Sequence, residues 1–221
     1  MARTSKADWL IPAGLIALAL IPTIAGIVRL VTLAGDPVVT EHNARFVAAP
    51  VPVVLHIVSV IVYCIAGAFQ FAPGIRRNHP RWHRVAGRVL VPFGLVAAFS
   101  GIWMAMTYAI VPEDTTLLHV FRLLAGGGMA ASLVLGYAAI RGRDVETHQA
   151  WMRRAYAIGQ GAGTQALVLM IPAIFIGTID AATHTVLMGF AWLLNLGVAE
   201  WLIQRRRMRM RPPSRLAAAR E

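Results

Sequence analysis

The chain has 221 residues, of which 57% are hydrophobic and only 14% charged, with a mean hydropathy of +0.63. That is more apolar surface than a soluble domain can hide, so a soluble globular enzyme is excluded and an all-α integral membrane bundle is predicted. The net charge of +11 implies no nucleic-acid partner, because the basic residues cluster between apolar runs as membrane topology demands.

About 20 apolar residues cross a bilayer. Six stretches qualify: residues 9–33, 50–73, 86–111, 116–140, 154–176 and 183–204. The first follows Arg3 and Lys6 like a signal peptide, but its apolar run is far longer than an h-region and reads as a true span. Pro12 and Pro22 are tolerated there because neighbouring helices re-satisfy the backbone. The loop 34–49 carries no recognisable motif, and no linker separates soluble domains. One domain, residues 1–204, is expected, followed by a basic tail, 205–221, expected to be disordered and able to hold anionic lipid headgroups. The single cysteine, Cys64, lies inside an apolar run. It excludes an intramolecular disulfide and a cysteine cluster for metal, and reads as a packing or lipid-facing residue.

If the N-terminus is cytoplasmic, Arg3, Lys6, the arginines of 76–88, those of 141–154 and those of the tail all lie inside. Only Arg29, Arg45 and Arg122 fall toward the other face. This skew predicts a multi-pass protein of the cytoplasmic (inner) membrane with both termini cytoplasmic.

A helical hairpin at 55–88 is followed by a weaker copy at 118–154, so spans two to five form an internally repeated four-helix core. Each copy opens with Leu-His, runs through an apolar span, turns at arginines and meets a second histidine where the next span begins. His56 and His83 are 27 residues apart, and His119 and His148 are 29 apart. The repeat therefore predicts an outer pair, His56 with His119, and an inner pair, His83 with His148. A descent of about 17 to 20 residues at 1.5 Å each separates the layers by roughly 25 to 30 Å. Neutral imidazole ligates haem iron, and facing helices of a bundle can hold a cofactor. The same pairs are the only candidate metal ligands.

Gly67, Gly94 and Gly159 stand eleven residues beyond His56, His83 and His148, and Gly126 seven beyond His119. Both steps return to nearly the same helix face, leaving room for a flat macrocycle. The plain alternative is helix–helix packing through small residues, and each histidine has one too, a place in the headgroup layer. Arg84, Arg88 and Arg153 flank the inner pair. They are candidate partners for propionates; alternatively Arg84 and Arg153, with His79, His83 and His148, form an anion site for a lipid headgroup or acidic small molecule. Arg122, one turn below His119, is a costly intramembrane charge that either pairs with a propionate, with Glu113 or with Asp114, or snorkels outward, as Arg29 is expected to do. Gln160, Thr164 and Gln165 suggest interhelical hydrogen bonds or a quinone. The six tryptophans read as an interfacial belt.

At RRNHPRWHRVAGR and ETHQAWMRRAYA the chain resembles a large bacterial family of predicted membrane proteins. The strings are His83-Arg84-x-x-Gly87-Arg88 and His148-x-x-Trp151-Met152-Arg153, within 53–157. The layout also resembles the ascorbate-reducible transmembrane di-haem cytochromes b. That resemblance implies ligands on spans two and four, His56 with His119, and on three and five, His83 with His148. The spacings within each hairpin are shorter than in that family, and its substrate-binding motif is not found. The expected function is electron transfer through two b-type haems, with a redox partner or quinone. A non-redox transporter or small-molecule binder, and a scaffold without cofactor, are the rivals.

Overall fold

Proline and short polar side chains set where the helices of this protein begin. The computed structural model describes residues 7–112 and 114–210. Within them lie α1 (Ala7–Ala34), α2 (Ala44–Ala48), α3 (Pro50–Ala68), α4 (Pro73–Asn78), α5 (Pro80–Thr107), α6 (Thr116–Arg141), α7 (Val145–Gly159), α8 (Gly161–Phe175) and α9 (Ala181–Met210). Proline opens α3, α4 and α5, where its missing N–H costs nothing. Thr115 caps α6 by accepting from the Leu118 amide at 3.1 Å, and Asp144 caps α7 by accepting from Thr147 at 3.0 Å.

The protein is an all-helical, multi-pass membrane bundle. Among the described residues five helices are long and apolar enough to span, and α7 with α8, bent by 41° at Gln160, passes the same test as a pair, the form of a broken span or a re-entrant loop. α3 and α5 end earlier than the hydropathy reading, at Ala68 and Thr107 rather than 73 and 111, and two starts differ more. The third crossing begins at Pro80 rather than at 86, and the bent pair at Val145 rather than 154. Hydropathy discounts the arginine-bearing first turns, but a capped helix needs no apolar residues there. The last helix continues through Arg205, Arg206 and Arg207 to Met210. Arg3, Lys6, Glu113 and the tail from 211 lie outside the described residues.

α3, α5, α6 and α7 pack in a ring, each against the next, with α7 returning to α3. α1 lies outside against α3 and α8, and α9 against α8, α7 and α6. The interior is built from small residues: Ala68, Ala97, Ala98, Ala130 and Ala155 are all buried, joined by Tyr63, Leu133 and Tyr156. Lipid supplies no hydrophobic drive between helices, so close backbone approach through small residues carries the association. Leu10, Phe99, Leu124, Phe175 and Leu193 project outward, which is costly in water and favourable in acyl chains.

Candidate functional site

Where α3 and α6 begin and α5 ends, a cavity of about 320 Å³ opens, lined by His56, Ala97, Gly101, Met104, Tyr108, His119, Arg122, Gly126, Gly159, Gln165 and Trp192, with Arg45 and Phe46 at its rim. His56 is the seventh residue of α3 and His119 the fourth of α6. Being on the faces turned toward α5, both reach the same space.

Their ring nitrogens are differentiated. His56 Nδ1 lies 2.9 Å from the Ala97 carbonyl and 3.3 Å from Ser100 Oγ, and His119 Nδ1 lies 3.2 Å from the Thr115 carbonyl of its own helix. A carbonyl only accepts, so in each neutral ring Nδ1 carries the hydrogen and Nε2 keeps its lone pair. Metal-ligating histidines are oriented in this way. The two side chains thus share one cavity, each with Nδ1 committed to a backbone carbonyl.

Two lining cations, Arg45 and Arg122, share the carboxylate of Asp114. Arg122 Nη1 and Nη2 donate to the two oxygens of Asp114 at 2.7 and 3.0 Å, and Arg45 stands 3.7 Å from the same carboxylate. Burial alone would raise the Asp114 carboxyl. The hydrogen bonds and charge of Arg122, helped by Arg45 and His119, instead hold it below its ordinary value. Of the partners expected for Arg122, the structure realises Asp114. Arg45, which the sequence reading passed over, donates from Nη1 to the Ala109 carbonyl at 3.3 Å, while its buried Nε has no partner among the described residues. Arg45 and Arg29 each place their guanidinium 4.8 Å from the Phe46 ring centroid, so Arg29 is held by an aromatic face. Tyr108 donates to the Ala49 carbonyl at 2.6 Å and closes α5 against the start of α3.

The glycines divide into two groups. A Cβ at Gly67 would meet Tyr156 at 2.8 Å, and one at Gly94 would meet Leu133 and Tyr63 at 2.8 Å. These two admit side chains of neighbouring helices, not a macrocycle. Gly101, Gly126 and Gly159 line the cavity; a Cβ at Gly101 would lie 3.3 Å from the His56 ring, while one at Gly126 would meet Ile102 at 2.6 Å and one at Gly159 Tyr63 at 3.0 Å, so these two also admit neighbouring side chains.

Below the cavity, Tyr156 donates to the Cys64 carbonyl at 2.6 Å, and Gln160 Nε2 donates to Tyr156 Oη at 2.8 Å and to the Leu15 carbonyl at 3.2 Å. Cys64 Sγ contacts the Gly159 carbonyl at 3.4 Å. Thr164 donates to Asn195 at 2.8 Å, and Gln165 Nε2 to the Met188 carbonyl at 3.3 Å. Interhelical bonding therefore engages Gln160, Thr164 and Gln165, while the buried Gln160 Oε1 has no partner among the described residues, and of the three Gln165 alone lines the cavity.

At the arginine-rich end, His83 and His148 lie near enough to interact electrostatically. His148 Nδ1 donates to the Gly136 carbonyl at 2.8 Å, whereas buried His83 Nδ1 has no partner among the described residues. Neither lines the large cavity. Arg84 and Arg88 are exposed, and Arg153 lines a recess of about 10 Å³ with Gln149 and Arg206, the size of a single water.

The family model described as "Predicted membrane protein (DUF2306)" matches residues 53–203, well over half of the 221-residue chain. The chain belongs to the DUF2306 family. No curated protein and no solved structure matches it significantly. The matched part of this DUF2306 chain runs from α3 into α9, so it contains the four repeat histidines, His56, His83, His119 and His148, and every cavity-lining residue except Arg45 and Phe46. The two strings that carry the resemblance open α5 and α7, so in this DUF2306 member both lie at the arginine-rich end.

Proposed function

We propose that this protein is a membrane electron-transfer protein of b-type cytochrome character, with one haem held between His56 and His119. The carrying observation is that imidazoles from two successive hairpins share one cavity with Nδ1 committed to a carbonyl in each ring. A haem bound there would supply reversible one-electron chemistry. His56 and His119 would hold the iron through Nε2, and the Ala97 and Thr115 carbonyls would fix their ring orientation. The buried Arg45 Nε and the positive surplus of Arg45 and Arg122 over Asp114 suit an acidic substituent such as a propionate. Gly101 keeps the wall beside the His56 ring low. The proposal narrows the two haems suggested by the repeat to one, since His83 and His148 stand apart from this space. By the distribution of arginines, the haem end faces away from the cytoplasm and both termini lie inside.

The visible spectrum of the full chain purified in detergent tests this. A reducible Soret band of low-spin, bis-histidine type is expected, lost in His119→Ala and in His56→Ala and kept in His83→Ala. Protein that stays colourless after expression with added haem precursor, and that gives no such band on titration with hemin, would exclude it. The orphaned Arg45 Nε also favours a second reading, a non-redox site for an anionic amphipath, to which the same experiment assigns no spectrum.

A further inference from the structure

At the opposite end of the bundle, three guanidinium groups from separate segments converge. Arg76 comes from α4, Arg153 from α7 and Arg206 from α9. Arg153 and Arg206 line one recess, and Arg76 lies within electrostatic range of both. Arg76 also acts on His83, which in turn neighbours His148. Burial, then the charges of Arg206 and Arg77, lower the Arg76 guanidinium below its ordinary value.

Of the carboxylates described at this end only Glu146 lines the recess, where it faces Arg153, Arg206 and Arg207 and leaves a positive surplus. Glu146 accepts from Arg207 at 3.0 Å, Glu200 accepts two bonds from Arg154, and Asp144 caps α7. Arg206 donates to the neutral Gln149. Among the described residues, Arg76 and Arg153 have no acidic partner. Three like charges partly withdrawn from water are unfavourable unless an anion joins them.

We propose that Arg76, Arg153 and Arg206, with His83 and His148 beside them, form a binding site for a phosphate group. The planar forks of arginine match tetrahedral oxyanions in a way that lysine does not, and this cluster contains no lysine. The unpartnered His83 Nδ1 supplies a further donor. Basic recesses between helices at the inner boundary are where phospholipid headgroups bind, and a soluble phosphate offers the same oxygens. The bound group would tie α4 and α7 to α9, joining the four-helix core to a flanking helix.

Two probes distinguish the sources. The thermal midpoint of the full chain in detergent is measured in inorganic phosphate against chloride at equal ionic strength. Lipid retention is measured by native mass spectrometry from nanodiscs of mixed phosphatidylglycerol and phosphatidylcholine. Stabilisation by phosphate supports a site open to soluble phosphates. Selective retention of phosphatidylglycerol without that stabilisation supports a lipid site. In either case Arg76→Gln and Arg153→Gln should each weaken binding roughly tenfold, while Arg141→Gln, an exposed arginine at the same end, should not. If Arg153→Gln fails to fold, Arg76→Gln decides. Binding of neither probe, or unchanged binding in Arg76→Gln, would overturn the proposal.

Discussion

Asp114 and Arg122 form a two-pronged pair, 2.7 and 3.0 Å, in which the Asp114 side chain is only 4% exposed. The pair pins the loop before α6 to the second turn of that helix, beside His119. Replacing Asp114 by Asn should leave a charged guanidinium without its counter-ion and cost about 2 to 3 kcal/mol. Arg122→Gln should cost about as much, and the double variant less than the sum, since both remove one interaction. Equilibrium unfolding in mixed micelles measures all three.

The same carboxylate sets a pH dependence. Its folded pKa lies below the unfolded value, which is about 3.9. Its contribution is therefore fully present above that unfolded value and disappears as pH falls through the lower folded one. Acid titration of unfolding should show this loss in the wild type and a flatter profile over the same window in Asp114→Asn.

Glycines at two kinds of position should respond oppositely to alanine. At Gly94 the added methyl would press on Leu133 and Tyr63 at 2.8 Å, which should destabilise by about 1 to 3 kcal/mol. At Gly127 no atom lies within 4 Å, and the gain in helix propensity should leave stability unchanged or raise it by up to about 1 kcal/mol. Unfolding midpoints of the two variants, compared side by side, check the contrast.

Tyr156→Phe removes a donor to Cys64 and an acceptor for Gln160. Interhelical hydrogen bonds in membranes average about 0.6 kcal/mol and reach about 1.7, so a loss of roughly 1 to 2 kcal/mol is expected. Hydrogen exchange should rise around Gln160, which bonds to Tyr156 Oη, and stay unchanged in α5.

Much of the membrane layout could be read directly. The apolar runs mark the five spanning helices and the bent α7–α8 pair, and the isolated Arg122 in an apolar stretch called for an acid that Asp114 provides. The bend at Gln160 was not legible, because no proline marks it. Gly161 and Gly163 admit Trp192 and the backbone at Leu18 there, contacts made by chain far away in sequence. The glycine spacing announced close approach at Gly67 and Gly94 without saying by what, and the visitors are Tyr63, Tyr156 and Leu133. Arg45 was passed over because its loop carries no motif; its one signal was the neighbouring Phe46. The shared cavity follows from how α3, α5 and α6 pack, which no single helix encodes.

The bent α7–α8 pair has a mechanical consequence. Ile158 and Gly159 wall the chamber from one arm of the elbow, Ala162 and Gln165 from the other. The chamber's width and the elbow's angle are therefore one variable: straightening or folding the arm reshapes the space beside His56 and His119 without moving either histidine along its own helix.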